Sequence, residues 1–397
     1  MAQPIRVTSR EVSLLPRPEC ERSSPACDGR RSAGSCQTVL LLKPLHARRA
    51  AMLREEIRAE GMDARRALAL GNALERAGKL LDAIEALTTA NALHPDHGVE
   101  RRLVRLRRRA FAELVRSRTP GPAVPIVAAG PPANGAPEPV PAAGLSAARV
   151  RDGIQRHGCL WVRGLVPPER AARLRAAIDH AFAAREAVLA RRATADDRAW
   201  YSPVERVPKD ASRHWVRLGQ GLLAADSPPA FFELMDLVRA LGVDRLVADY
   251  LGERPALSVE KCALRRADAS LHPSTWHQDG AFLGLGIRTL DVWLALSPCG
   301  RDAPGLDVIP LRLDRVLPTG EPGTFFEWTV AQETIARELP DATPWRPAFE
   351  EGDALLFDHL LIHRTAADPA MPHVRYAIES WFFAPSTYPR TSTPLVV

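Results

Sequence analysis

Along the chain the pattern of apolar and polar positions divides into four stretches. Residues 1–44 combine Pro, Ser, Cys and Arg with little apolar periodicity, and are expected to be disordered. Over 45–118, Ala and Leu recur at spacings of three and four with Pro95 as the one interruption, which predicts helices. Residues 119–146, largely TPGPAVPIVAAGPPANGAPEPVPAAGL, are too poor in large apolar side chains to fold alone and too rich in Pro to be helical, so they read as a linker. From 147 to 397 the texture is that of one larger domain. Its entry is a short apolar strand, Cys159 to Val162, then Pro167-Pro168 at a helix start, with Leu174, Ile178 and Phe182 on one helix face. Beyond Leu257, runs such as TLDVWLALS, DALLFDHLLIH and RYAIESWFF alternate with Pro, Gly and Asp turns and read as closely spaced strands of a sandwich or barrel.

Within the helical segment, ALALGNALERAGKLLDAIEALTTANALHPDH resembles a tetratricopeptide repeat. Leu70, Gly71, Leu74, Ala83, Leu87, Ala90 and Pro95 fall at that family's spacings, while Ala67 replaces its usual first aromatic. Gly71 and Ala83 allow close helix approach, Gly78 ends the first helix and Pro95 stops the second. A lone repeat cannot bury its own face, so helices over 47–60 and 99–118 are expected to complete a small bundle. A generic Ala-rich hairpin is the alternative, and neither reading carries chemistry.

Composition narrows the function classes. With 397 residues, 46% hydrophobic and 25% charged, the chain is long enough for two or three globular units. No uncharged apolar run approaches the roughly 18 residues of a membrane span. Nor is there a basic segment followed by an apolar core and a small-residue cleavage site, so the expectation is a cytoplasmic protein without membrane association. The formal charge of +6 invites a nucleic-acid reading, but the excess is confined to the region before residue 119. It is almost all arginine, without interleaved aromatics or a binding motif, so nucleic acid is not an expected partner. Six cysteines are too few for a disulfide framework. Cys159, Cys262 and Cys299 read as packed thiols, and the gaps between Cys20, Cys27 and Cys36 match no zinc spacing.

The chemistry-bearing residues lie far apart in the chain. In Trp276-His277-Gln278-Asp279-Gly280, an extended backbone would project His277 and Asp279 from one face. His363, 86 residues downstream, lies near the end of the strand opened by Gly352-Asp353. Two histidines and one carboxylate that leave half a coordination sphere open suit non-haem Fe(II), because the free positions can take a chelating cosubstrate and dioxygen; zinc is the alternative. Arg375, twelve residues after His363, begins the next strand, and its fork suits the far carboxylate of a dicarboxylic keto acid. Thr365 could add a hydroxyl hydrogen bond to the same group. His359 would share the face of His363 on a regular strand, but its place in the strand body suits a packed histidine. His272 reads as a loop residue, and His214 as lining the substrate side or packing on Trp215. Lys261 is either a solvent-facing edge lysine or the partner of an anion inside the barrel.

Taken together these pieces resemble the phytanoyl-CoA dioxygenase family of Fe(II)- and 2-oxoglutarate-dependent oxygenases over residues 147–388. The resemblance rests on GCLWVRGLVPPERAARLRAAI, WHQDG, VWLALS, APGLDVIP and GDALLFDHLLIHRT with RYAIESWFF, in that order. It implies a mainly β catalytic domain, a double-stranded β-helix of the jelly-roll or cupin-like kind with flanking helices, beside a small all-α N-terminal segment. It further implies His277, Asp279 and His363 as iron ligands and catalytic centre, Arg375 on the 2-oxoglutarate C5 carboxylate, and Gln278 and Thr365 near that cosubstrate. The implied activity is hydroxylation of an unactivated C–H bond of a small-molecule or carrier-bound substrate by O2, with release of succinate and CO2. Two departures bear on the substrate side: LRLDRVLPTG replaces the family's Gly-Ser-His turn after APGLDVIP, and Ser297 stands where relatives often place an acid. Asp279 disfavours a halogenase. A helical module on a flexible linker could also bring in a protein partner or carrier. The rival is a scaffold that keeps the oxygenase fold without turnover and acts through its helical repeat.

Overall fold

The computed structural model describes residues 33–117, 135–205, 210–271, 275–322, 324 and 326–397. Cys20 and Cys27, His272, most of the segment expected to be disordered and the first part of the linker lie outside them.

Five helices lead the chain: α1 (Ala33–Glu60), α2 (Ala64–Ala77), α3 (Leu80–Leu93), α4 (His97–Arg109) and α5 (Phe111–Ser117). Helix α1 therefore starts ahead of residue 45, inside the stretch read as disordered, and carries Pro44 within it. The α2–α3 hairpin forms for the expected reasons. The Asp63 side chain accepts from the Arg66 N–H at the start of α2, and Gly78, at φ 79°, closes its end. A Cβ on Gly71 would stand 2.6 Å from Leu87 Cγ, so glycine sets how closely the two helices pack.

The catalytic part begins with β1 (Val140–Pro141), α6 (Ala147–His157), β2 (Cys159–Arg163), α7 (Pro168–Leu189), α8 (Ala195–Trp200), α9 (Asp210–Leu218), β3 (Gly221–Leu223), α10 (Pro228–Ala240) and α11 (Val243–Leu251). It continues with β4 (Ala256–Ala267), α12 (Gly280–Leu283), β5 (Thr289–Ala295), β6 (Gly305–Ile309), α13 (Gln332–Glu338), β7 (Ala354–Phe357), β8 (Ile362–Ala366), β9 (Arg375–Phe383) and β10 (Pro394–Val396). The expected strand and helix at the entry are β2 and α7.

Eight strands form one sheet in the order β1-β2-β7-β5-β9-β4-β10, with β3 added to β4. Strands β6 and β8 form a second, smaller sheet, widened by bridges that set Thr329, His277, His363, Val308 and Trp345 side by side. The mainly β core with flanking helices is thus what the chain forms; among the described residues no hydrogen-bonded closure joins the two sheets into a barrel. Leu290, Val292 and Leu294 face the helices, against Leu174, Ile178 and Leu234. Trp293 and Ala295 face the other way, with Trp161, Phe349, Phe357 and Trp381 toward the small sheet.

One correction concerns the stretch read as a single strand from Asp353 to His363. It is two: β7 belongs to the large sheet, β8 to the small one. The break is at Asp358, whose carboxylate accepts from the Leu360 N–H at 3.0 Å and turns the chain between sheets. His363 therefore sits near the start of a strand, not at an end.

Candidate active site

His277 and His363 are direct cross-strand neighbours. Each donates its backbone N–H to the other's carbonyl at 3.0 Å, and their ring centroids lie 4.3 Å apart. In both rings Nδ1 faces the carbonyl of the residue two before, Thr275 at 3.1 Å and Leu361 at 3.2 Å. With Nδ1–H donated there, Nε2 is left as the lone-pair atom, the tautomer a metal ligand needs. The chain stays extended through Gln278 and then turns into α12, which brings Asp279 to the same point. One ligand atom from each of His277, Asp279 and His363 falls within 4.8 Å of the others, a spacing fit for one metal ion. Gly280 keeps the turn tight: its N–H donates to the His359 carbonyl at 2.8 Å, and a Cβ there would meet that oxygen at 3.1 Å.

Asp279 divides its two oxygens. Oδ2 faces His363 Nε2 at 3.8 Å, while Oδ1 accepts from Lys261 Nζ at 2.9 Å. Lys261, on β4, thus takes the interior option rather than the edge. Desolvation alone would raise the Asp279 carboxyl, but Lys261, His363 and His277 outweigh it and hold the group at about 2. Desolvation, reinforced by His363, pushes the His277 imidazole down to about 4. At neutral pH His277 is therefore a neutral imidazole and Asp279 a carboxylate, with His363 placed by geometry to complete the triad.

Arg375 opens β9 and is 3% exposed. It crosses to the small sheet, where Nη1 donates to the Gly305 carbonyl at 3.2 Å, and its buried Nε has no partner among the described residues. Burial lowers its pKa to about 10. A buried cation with no carboxylate paired to it calls for an anionic ligand. Thr365 lies two residues along β8 from His363, opposite Leu306.

Gln278 lies between His277 and Asp279 in the chain. It is fully buried on the opposite side of the chain from its neighbours, and its amide donates to the carbonyls of Leu360 at 2.7 Å and Arg315 at 3.0 Å while accepting from the Leu317 N–H at 2.8 Å. These bonds tie the side chain to the Leu360 carbonyl and to the 311–317 segment, so Gln278 anchors that segment beside the triad. His359 is buried and does not belong to the ligand cluster of His277, Asp279 and His363. His214 is solvent-exposed on α9, bonded to Arg217. Ser297 accepts from the Tyr376 N–H at 2.9 Å and ties β9 to the end of β5.

Residue patterns did not reveal two further features. One is a pair of carboxyls electrostatically coupled to Asp279: Glu379, which accepts from Arg265 at 2.8 Å, and Asp291, whose carboxyl burial pushes well above the usual range, with Glu379 and Asp279 adding to it. The other is the ring system beside His277. Trp328 lies 5.4 Å from His277 and from Phe282, and stacks on Phe326 at 4.9 Å.

Among the described residues no helix is long and apolar enough to cross a membrane. No curated protein matches the chain by sequence. Among solved structures the chain is similar to the α-ketoglutarate-dependent carbocyclase SnoK of nogalamycin biosynthesis, at 17% identity and a TM-score of 0.40, over 62% of this chain and 87% of that one. It is also similar to EctD from S. alaskensis, at 17% identity and a TM-score of 0.43, over 68% of this chain and 86% of that one. EvdO2 from Micromonospora carbonacea var. aurantiaca is 16% identical with a TM-score of 0.38, over 64% and 94%. Residues 154–368 match the family model described as phytanoyl-CoA dioxygenase (PhyH). Because that match spans more than half of the chain and contains the whole His277, Asp279 and His363 cluster, the chain belongs to the phytanoyl-CoA dioxygenase family and is an oxidoreductase of the dioxygenase type.

Proposed function

We propose that the protein is a non-haem Fe(II)- and 2-oxoglutarate-dependent dioxygenase that hydroxylates an unactivated C–H bond of a small-molecule or carrier-bound substrate, releasing succinate and CO2. One observation carries the reading: the two-histidine, one-carboxylate cluster lies on the small sheet that the buried Arg375 reaches through the Gly305 carbonyl, and the Arg375 Nε has no hydrogen-bond partner among the described residues. Iron with 2-oxoglutarate and O2 supplies the C–H oxidation that no side chain can perform. The chain's part is to bind and orient. His277 and His363 present Nε2 because their Nδ1 protons face backbone carbonyls. Lys261 occupies Asp279 Oδ1, and Oδ2 is the oxygen that would hold the metal. Arg375 takes the C5 carboxylate of 2-oxoglutarate, with Thr365 adding a hydroxyl contact. The buried aromatic floor of Trp293, Phe357 and Trp381 keeps water from the cosubstrate side.

The test is anaerobic titration of the purified protein with Fe(II) and 2-oxoglutarate, following the weak visible charge-transfer band of the chelate. The band is expected in the wild type and lost in both His363→Ala and Arg375→Ala. Folded, iron-loaded protein that gives no band would favour the scaffold or zinc reading instead.

A further inference from the structure

The ring system beside His277 extends outward as a continuous wall. Trp328 stands edge-on to His277 at 5.4 Å with an interplanar angle of 79°, and stacks nearly parallel on Phe326. Phe326 in turn meets Trp215 of α9 edge-to-face at 4.7 Å. Phe282, on the turn that carries Asp279, closes the other flank of Trp328 at 5.4 Å. Three separated parts of the chain therefore contribute rings to one surface that starts at a candidate metal ligand and ends in solvent. Its outer members are left open, Trp215 being 44% and Phe282 39% exposed, next to Leu218 at 52% and Leu285 at 57%. Large apolar side chains held open at the mouth of a site are not explained by core packing.

Phe326 and Trp328 follow LRLDRVLPTG, residues 311–320, in which the sequence departs from the family pattern. The chain here is fixed in place: the Thr329 backbone bridges to His277, and Gln278 clamps Arg315 and Leu317. Through Thr329 the ring wall is tied directly to the backbone of His277. Charge decides what it can hold. Rings alone would also suit a quaternary ammonium, but Lys261 Nζ stands 4.1 Å over the face of Phe282, and Arg217 lies beside His214 next to Trp215. A cation would meet like charge at both ends.

We propose that Trp328, Phe326, Trp215 and Phe282 form a substrate subsite for a flat, aromatic, uncharged or acidic moiety, stacked so that its edge reaches the metal side of His277. This rests on the oxygenase reading for the reaction, while the subsite itself exists without metal. The experiment is calorimetric titration of the metal-free full-length protein with three probes: 2-naphthol, its saturated counterpart 2-decalol, and tetramethylammonium. Aromatic stacking predicts that 2-naphthol binds about threefold to tenfold tighter than 2-decalol, and that tetramethylammonium does not bind. Trp328→Ala removes most of that preference, Trp215→Ala weakens 2-naphthol about threefold, and Trp328→Phe retains it. Trp215 is exposed, so its variant folds even where Trp328→Ala does not. Equal binding of the two alcohols, binding unchanged in Trp215→Ala and in whichever Trp328 variant folds, or preferential binding of the cation overturns the proposal. As no metal is present, failure here leaves the charge-transfer test standing, and a missing band with intact 2-naphthol binding rejects the oxygenase reading alone.

Discussion

A buried carboxylate beside two imidazoles must have a cation, and before metal enters, Lys261 is that cation. Lys261→Met would leave Asp279, 3% exposed, without its charged partner in the metal-free protein while a bound ion would restore one. The expected loss is about 3 kcal/mol in the metal-free form, with a smaller loss once metal is bound. Thermal melts with and without a divalent ion should therefore show a larger metal-induced stabilisation in the variant; an unchanged increment would mean Lys261 does not compensate Asp279. The same desolvation fixes a pH dependence. An unfolded imidazole protonates near 6.5, whereas His277 in the fold does so near 4, so between those values the unfolded chain binds a proton that the fold refuses. Stability of the metal-free protein should fall as pH drops from 6.5 to 4, by a few kcal/mol in order of magnitude. Asp279, held near 2, adds a further loss only below its unfolded value of 3.8. Urea midpoints at pH 7.5, 6 and 5 measure this, and the decline should be shallower in His277→Asn; equal slopes would locate the proton uptake elsewhere. The four residues His277, Asp279, His363 and Arg375 were legible because residue type and order alone mark them. The pairing of Lys261 was not, because it depends on how β4 passes its bulge between Leu257 and Cys262, and the hydrogen bonds of Gln278 were hidden because its partners are backbone atoms of Arg315, Leu317 and Leu360, far along the chain.

Elements position these side chains only where junctions are tight, and the Gly352-Asp353 junction before β7 is one of them. Asp353 accepts from the Gly164 N–H at 3.1 Å and the Glu350 N–H at 2.9 Å, and pairs with Arg163, which locks β2 to β7. Gly352 has φ 89°, and a Cβ there would stand 2.3 Å from the Val166 carbonyl oxygen. Gly284, at φ 92° with nothing within 4 Å, isolates the backbone part of the cost. Gly284→Ala should lose about 1–2 kcal/mol, whereas Gly352→Ala, which must also displace backbone, should lose at least about twice that. Chemical denaturation of the two variants tests it, and equal losses would show that the β2–β7 junction yields freely. This is also where reading the sequence fell short. DALLFDHLLIH is one unbroken apolar run by periodicity, and only the tertiary placement of Asp358 shows that it serves two sheets. The helical hairpin, by contrast, was legible, because its cap and its close-approach glycine act locally.

At the scale of the whole molecule, the helical segment does not stand apart from the sheet. Ile84, Leu87, Leu103 and Leu106 share one apolar cluster with Ala256 of β4 and Val396 of β10. Arg107, 3% exposed, donates to the Val396 carbonyl at 2.7 Å, and with Glu85, Arg239 and Arg254 it lines a cavity of about 280 Å³ along this seam. A module meant only to recruit a carrier at the end of a linker has no need to bury an arginine against the catalytic sheet, so the packing argues that the helices stabilise that sheet's β4–β10 edge. All eight tryptophans lie beyond residue 160, which makes their fluorescence a reporter of the catalytic part alone. Leu87→Ala, at a fully buried position of α3, should cost about 2–5 kcal/mol locally. If the two parts unfold together, the tryptophan-reported transition must shift to lower temperature although no residue of the catalytic part has changed, and Arg107→Ala must shift it in the same direction. A tryptophan transition that stays in place while the far-ultraviolet signal of the helices melts earlier would mean two independent units, and would return the helical segment to the role of a tether.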